Sequence, residues 1–160
     1  MLSGRIKGKG DELKQFIDKI DRRKLSDDEV KMMNALKLAY IGDAVYEVYI
    51  RTYVMNNYRS SVNQLNKRGV SFVKASAQAR IVEYLKPYLT EAEWAVVMRG
   101  RNQKVSTPAK NANIKDYKMA TGFEALIGLL HLKGEKDRLE ELIIHGIEYI
   151  DSEVNDGEKR

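Results

Sequence analysis

Apolar residues recur with helical spacing along almost the whole chain, and this periodicity is the feature that most restricts its fold. No segment shows the sustained alternation of apolar and polar residues that is typical of a half-buried strand. Helix starts are marked by capping boxes, in which Ser or Thr is followed three residues later by Glu or Gln, at Ser26, Ser61 and Thr90. We therefore predict an all-α fold.

The helical pattern divides into segments without an internal repeat or an interdomain linker. Predicted helices cover 11–23, 26–55 with a bend near Asn34, 61–69, 71–84, 90–100, 114–132 and 135–154. The stretch 102–113, with its Ser, Thr, Asn and Pro residues, is the clearest loop. A length of 160 residues suits one domain. We predict this domain over 11–154, with residues 1–10 disordered and 155–160 forming a frayed tail.

Composition excludes several classes of protein. The chain has no cysteine, no apolar run of membrane-spanning length and no signal-peptide pattern at its start, so we expect a cytoplasmic protein without a membrane partner. The net charge is +5, and its distribution is uneven. Residues 99–118 contain six basic residues and one acidic residue, whereas residues 135–160 contain nine acidic and four basic residues. The localised positive segment favours a polyanionic partner.

Two acidic residues interrupt otherwise apolar helical patterns. Asp43 lies in the run 39–51, and Glu124 lies in the run 120–130. Small residues flank both acids and would let two helices approach closely; they are Gly42, Ala44, Gly122, Ala125 and Gly128. We therefore expect Asp43 and Glu124 to meet. Converging carboxylates suit a hard divalent cation with oxygen ligands, most simply Mg²⁺.

Each acid in the first run also has an alternative interpretation. Asp43 follows a glycine and would serve as an N-cap if a helix began at Ala44. Glu47 would either assist a metal through water or pair with Arg51, its i+4 neighbour, and we favour the ion pair.

Three motifs resemble those of the ribonuclease III catalytic domain. They are YIGDAVYE at 40–47, RGRN at 99–102 and FEALIG at 123–128, in the order of that family and with roughly its spacing. The resemblance covers the chain from about 34 to about 150 and is specifically to the short Mini-III form. A separate double-stranded-RNA-binding domain has no counterpart after the last predicted helix, so the catalytic domain itself is expected to grip RNA.

The resemblance assigns roles to individual positions. Asp43 matches the aspartate of the first family motif, and Glu124 matches the glutamate of the second. Ala39 and Thr121 stand where full-length ribonuclease III enzymes carry two further carboxylates, and Mini-III enzymes are similar in lacking both. The resemblance thus implies that Asp43 and Glu124 are the catalytic residues and the ligands of Mg²⁺.

The same resemblance implies the rest of the function. It implies the ribonuclease III catalytic fold, a helical homodimer with Tyr46 and Tyr49 as candidates for its surface, and cleavage of double-stranded RNA to products with 5′-phosphates. It also implies maturation of precursor 23S ribosomal RNA, with no DNA partner expected. The alternative is a ribonuclease III-like scaffold that has lost catalysis and binds RNA or the ribosome. Retention of Asp43 and Glu124 argues against that alternative.

Basic and polar residues near the predicted loop are the candidate RNA contacts. They are Arg99, Arg101, Lys104 and Lys110, with Lys74 and Gln78 on an earlier helix. A solvated charge run is the competing interpretation. However, the loop leads into the helix that bears Glu124, so phosphates bound there would arrive beside the metal.

Overall fold

The computed structural model describes residues 12, 14–15, 17–18, 26–104 and 113–158. Within these residues the regular secondary structure is entirely helical, which confirms the predicted all-α class. The helices are α1 (Asp27–Met32), α2 (Ala35–Asn57), α3 (Val62–Val73), α4 (Ala75–Leu85), α5 (Glu91–Arg101), α6 (Ile114–Leu132) and α7 (Lys136–Glu158), with a 3₁₀ turn at Lys86–Tyr88. Helical backbone also occurs at the described positions between 12 and 18. The predictions for residues 1–10 and for Lys110 concern positions outside the described residues.

The predicted helix starts rest on capping boxes that the structure contains. Ser26, Ser61 and Thr90 each accept a hydrogen bond from the backbone amide three residues later. In each case the Glu or Gln at that later position accepts a hydrogen bond from the backbone amide of the capping residue. These reciprocal bonds satisfy amides that the first turn of a helix leaves unpaired.

Helix ends differ more from the prediction. The segment predicted as one bent helix over 26–55 is two helices, because Met33 and Asn34 have extended backbone and Asn34 caps α2 through a bond from the Leu36 amide. Helix α3 continues past Gly69 to Val73, and α7 continues four residues beyond the predicted end at 154. A glycine inside a helix costs only about 1 kcal/mol, which packing readily offsets.

Helix α6 is the centre of the fold. Every residue from Met119 to Leu130 is buried except Glu124. A helix that is apolar on all sides must be covered on all sides, and α2, α4, α5 and α7 pack around it. The rest of the core lies mainly between α4, α6 and α7.

Glycines set the distance between α6 and two of its neighbours. A Cβ atom added to Gly42 would lie 1.8 Å from the Glu124 carbonyl oxygen, and one on Gly128 would lie 1.9 Å from the Leu38 carbonyl oxygen. On the other side of α6, a Cβ atom on Gly122 would lie 2.4 Å from the Val97 carbonyl oxygen. Helices α2 and α5 therefore approach α6 to backbone contact. None of the helices in the described part of the chain is long and apolar enough to cross a membrane.

Candidate active site

Asp43 lies in the middle of α2. The helix begins at Ala35, two turns before Asp43, so the alternative interpretation of Asp43 as an N-cap is wrong. The side chain is exposed, whereas Gly42 beside it is buried against the backbone of Glu124. Asp43 therefore stands at the solvent edge of the contact between α2 and α6.

Glu124 is the partly exposed exception in the buried stretch of α6, and it shares its surroundings with Asp43. The pKa of Glu124 is raised to about 7, mainly by burial and further by the negative charge of Asp43, while a hydrogen bond from Gln78 lowers it. The electrostatic coupling places the two carboxylates near each other, as the small residues around them predicted.

The chemistry of this pair fits a divalent cation. A hard cation such as Mg²⁺ prefers carboxylate oxygens, and a bound cation would relieve the repulsion that raises the pKa of Glu124. Among the described residues, no group of three or more His, Cys, Asp or Glu side chains lies close enough to hold a metal. The described part of the chain thus brings two carboxylates together here, those of Asp43 and Glu124.

Two further positions beside the pair carry no carboxylate. Ala39 lies one turn before Asp43 and packs into a small apolar cluster. Thr121 lies one turn before Glu124, and its hydroxyl donates to the Tyr117 carbonyl oxygen at 3.0 Å. Neither side chain supplies a charged ligand.

Glu47 lies one turn after Asp43 on α2. Its carboxylate accepts a hydrogen bond from Arg51 Nε at 3.1 Å, which is the ion pair favoured by the i+4 spacing. The ion pair is confirmed, and the exclusion of Glu47 from the catalytic set stays a prediction.

The candidate RNA contacts fall into two groups. Lys74 and Lys104 are exposed and Arg101 is partly exposed, so all three can reach a ligand in solvent. Lys74 occupies the junction where α3 ends and α4 begins. Lys104 follows α5. Lys110 lies in the segment 105–112, outside the described residues.

The side chains of Arg99 and Gln78 make hydrogen bonds within the protein. The predicted RNA-binding set is corrected by removing both residues. The Arg99 guanidinium donates to the carbonyl oxygens of Val30 and Met33 at the end of α1, so it is occupied in anchoring that helix. Gln78 is only 2% exposed. Its Nε2 donates to the Val73 carbonyl oxygen at 2.8 Å, which leaves no surface for RNA.

The tyrosines of α2 also differ in how deeply they are buried. Tyr46 is 1% exposed and its hydroxyl donates to the Phe72 carbonyl oxygen, so it belongs to the core and the expectation of a dimer surface there is wrong. Tyr49 is partly buried and donates to Glu140 on α7. The large apolar side chains that α2 does present to solvent are Leu36, Tyr40, Val48 and Met55.

The fold agrees with the comparisons. The family model described as the ribonuclease III domain matches residues 36–135. The chain belongs to the ribonuclease III family, whose members are endoribonucleases, and this confirms the predicted enzyme class.

Its relatives narrow the assignment to the short Mini-III form. The chain is 52% identical to the Mini-ribonuclease 3 of Clostridium tetani over 132 residues, which are 81% of this chain and 87% of that protein. It is 46% identical to the Mini-ribonuclease 3 of Enterococcus faecalis over 117 residues, or 72% of this chain and 89% of that protein. The crystal structure of a protein from Fusobacterium nucleatum superposes with a TM-score of 0.68 at 28% identity, covering 75% of this chain and 96% of that one. The resemblance of the three motifs is thereby confirmed.

Proposed function

We propose that this ribonuclease III-family enzyme cleaves double-stranded RNA with Mg²⁺ held by Asp43 and Glu124. The observation that supports this proposal most strongly is the position of Glu124, the partly exposed acid in a buried stretch of α6, beside a second acid on α2. Placing two like charges together is costly unless a cation joins them. The products are expected to carry 5′-phosphates.

Each carboxylate contributes differently to such a site. Bound Mg²⁺ lowers the pKa of water and neutralises charge on the scissile phosphate. Glu124 is held firmly, because its backbone is packed against Gly42 and its side chain is largely enclosed. Asp43 is exposed and therefore stands on the side from which an RNA backbone arrives.

Arg101, Lys104 and Lys74 are the proposed contacts to the RNA backbone. Lys110 remains a further proposed contact. Phosphates carry no sequence information, so these residues would set the position of the duplex and the strength of binding rather than its sequence. Arg99 and Gln78 are omitted because both side chains are occupied within the protein.

The proposed homodimer is supported by the exposed apolar residues of α2. Leu36, Tyr40 and Val48 are 46%, 84% and 65% exposed and lie along one side of the helix. Large apolar side chains grouped on one surface mark a contact with another molecule. Tyr40 is three residues before Asp43, so pairing two chains through this face would bring two active sites to one duplex, one for each strand.

The proposed biological substrate is precursor 23S ribosomal RNA, processed in the cytoplasm. This part of the proposal rests on the likeness to Mini-ribonuclease 3 proteins. Transcripts carrying the base-paired ends of that precursor would test it against an unrelated duplex of equal length.

The experiment that tests the activity is incubation of a long, uniformly labelled RNA duplex with the protein, with Mg²⁺ or with EDTA. Discrete shorter duplexes with 5′-phosphates that form only with Mg²⁺ are the expected result. An intact duplex that is nevertheless bound would instead favour the scaffold alternative.

A further inference from the structure

Gln78 is the buried polar side chain of the core whose bonding is incomplete. It lies on α4 on the side that faces α6, and it is 2% exposed. Its Nε2 donates to the carbonyl oxygen of Val73 at 2.8 Å. Val73 is the last residue of α3, where a helix leaves carbonyl oxygens without partners. One amide hydrogen of Gln78 therefore satisfies the end of α3.

This bond fixes the orientation of the amide. A carbonyl oxygen only accepts, so the nitrogen of Gln78 must face Val73 and the oxygen must face elsewhere. The second amide hydrogen is available to Glu124, where a hydrogen bond from Gln78 favours the ionised carboxylate. The oxygen, Oε1, is buried and has no hydrogen-bond partner among the described residues.

The neighbouring carboxylates do not satisfy Oε1 when they are ionised. An ionised carboxylate accepts hydrogen bonds and has none to donate. Buried polar atoms without a partner are rare, and each one calls for a physical explanation. The missing group must therefore be a hydrogen-bond donor. Water in the shell of a divalent cation is such a donor, because the cation polarises its hydrogens outward.

We propose that Gln78 is a positioning residue of the metal site, with its amide N–H holding the Glu124 carboxylate and its Oε1 accepting a hydrogen bond from water of the bound Mg²⁺. This inference rests on the proposed function, since it requires that Asp43 and Glu124 hold the cation. It adds to the two carboxylates the Oε1 atom of Gln78 on α4, which would contact the metal only through water. It also explains why a glutamine is buried at a position where an apolar residue would pack as well.

A purely structural role, in which Gln78 only caps α3, makes a different prediction. Capping would stabilise the fold equally with and without metal. Positioning makes part of the stabilisation depend on Mg²⁺, because a ligand that binds only the folded state stabilises it by an amount that grows with the logarithm of the ratio of Mg²⁺ concentration to Kd. The two roles are therefore separated by the Kd for Mg²⁺, which is obtained from the rise in thermal stability with Mg²⁺ concentration.

The test is thermal unfolding over a series of Mg²⁺ concentrations, with calorimetric titration of the metal as a second readout. Gln78→Met removes both hydrogen-bonding atoms at nearly constant shape and should raise the Kd for Mg²⁺ by about 10- to 100-fold, the usual effect of losing an outer-shell partner. Val82→Ala is the matched control, one turn further along α4 and fully buried. It should lower stability at every Mg²⁺ concentration and leave the Kd unchanged.

A second variant covers the case in which Gln78→Met does not fold. Gln78→Glu keeps the shape and an acceptor oxygen but replaces the N–H groups by a third carboxylate beside Glu124, so it should shift the Kd for Mg²⁺ away from the wild-type value. An unchanged Mg²⁺ affinity in either variant would overturn the inference. If wild-type protein itself is not stabilised by Mg²⁺, or if Asp43→Asn keeps the full Mg²⁺ response, the metal site of the proposed function fails and this inference fails with it.

Discussion

At the scale of single residues, Glu124 is the residue of the candidate site whose ionisation the fold opposes most. Its pKa is raised to about 7, first by burial and then by the charge of Asp43. The folded chain thus holds a proton on Glu124 more tightly than the unfolded chain, where the pKa is about 4.5. Stability must therefore fall as pH rises from about 4.5 to about 7.

Glu124→Gln should remove this pH dependence. In metal-free buffer at pH 8 the variant is expected to be more stable than wild type by up to about 3 kcal/mol, since a shift of one pKa unit corresponds to about 1.4 kcal/mol. The difference should shrink towards zero near pH 4.5, where wild-type Glu124 is protonated in the folded state. Urea unfolding at several pH values, with EDTA present, measures it. A stability difference between Glu124→Gln and wild type that does not vary with pH would contradict a buried Glu124 beside Asp43.

The sequence predicted some residue roles and missed others for a physical reason. The meeting of Asp43 and Glu124 was predictable, because glycines beside both acids permit backbone contact between their helices. The positions of Arg99 and Gln78 were not predictable from residue type. Each is fixed by carbonyl oxygens at the ends of other helices, which come within reach only after the helices pack. The one sequence signal for a special role of Gln78 was that this polar residue interrupts the apolar pattern of α4.

At the scale of elements, the close contact of α2 with α6 positions the site. Both helices contribute a glycine to it, and the Gly42 contact falls on the backbone of Glu124 itself. Any side chain at this contact would separate the helices and move Asp43 away from Glu124. The contact thus controls both stability and the spacing of the carboxylates.

Gly42→Ala should therefore be far more harmful than an ordinary glycine replacement. Its Cβ would fall 1.8 Å from the Glu124 carbonyl oxygen, and forced overpacking of this kind is expected to cost about 3 kcal/mol or more. Gly69→Ala is the control, because its nearest neighbour would be the Ile50 Cγ2 atom at 3.9 Å. It should stabilise α3 by up to about 1 kcal/mol. Equal effects in urea unfolding would contradict the close packing of α2 on α6.

Helix starts that carry a capping box were predictable, whereas the uncapped start of α4 and the ends of α3 and α7 were not, for a local reason. A start is marked by side chains that bond to its free amides, as at Ser26, Ser61 and Thr90. The ends of α3 and α7 have no comparable mark in the sequence, so packing decides where they stop. Gly134 is the exception: its backbone φ of 69° favours glycine and matches the predicted end of α6.

At the scale of the whole molecule, positive charge and exposed apolar side chains occupy defined places. The basic residues Lys74, Arg101 and Lys104 reach solvent from α4 and the end of α5. The segment 135–160, which contains α7, is acidic. An RNA duplex is therefore expected to contact the basic side of the domain.

The joint replacement Arg101→Ala and Lys104→Ala should weaken duplex binding at low salt and flatten its salt dependence. Each phosphate contact that is lost reduces the slope of log affinity against log salt by about 1. Binding is best measured in the Asp43→Asn background so that cleavage does not interfere. Lys136→Ala on α7 is the control and should leave the slope unchanged. A salt slope that is unaltered by the double replacement would remove these residues from the RNA surface.

Dimerisation through α2 predicts that one added charge separates the subunits. Tyr40→Glu or Val48→Glu places a carboxylate on the exposed apolar side of α2 and should convert a species of about twice the chain mass into a monomer. Ile144→Glu, at a comparably exposed position on α7, is the control and should remain dimeric. Sedimentation at micromolar concentration distinguishes the species. Wild-type protein that sediments as a monomer would refute the proposed dimer.

The most direct test of the account is cleavage of a labelled RNA duplex by Asp43→Asn, Glu124→Gln and Glu47→Gln in saturating Mg²⁺. We expect the first two variants to bind the duplex without cutting it, because each loses one of the two charges that hold the cation. Glu47→Gln should retain much of the wild-type rate, because the Glu47 carboxylate is paired with Arg51. Wild-type turnover by either Asp43→Asn or Glu124→Gln would contradict the central claim that these two carboxylates form the catalytic metal site.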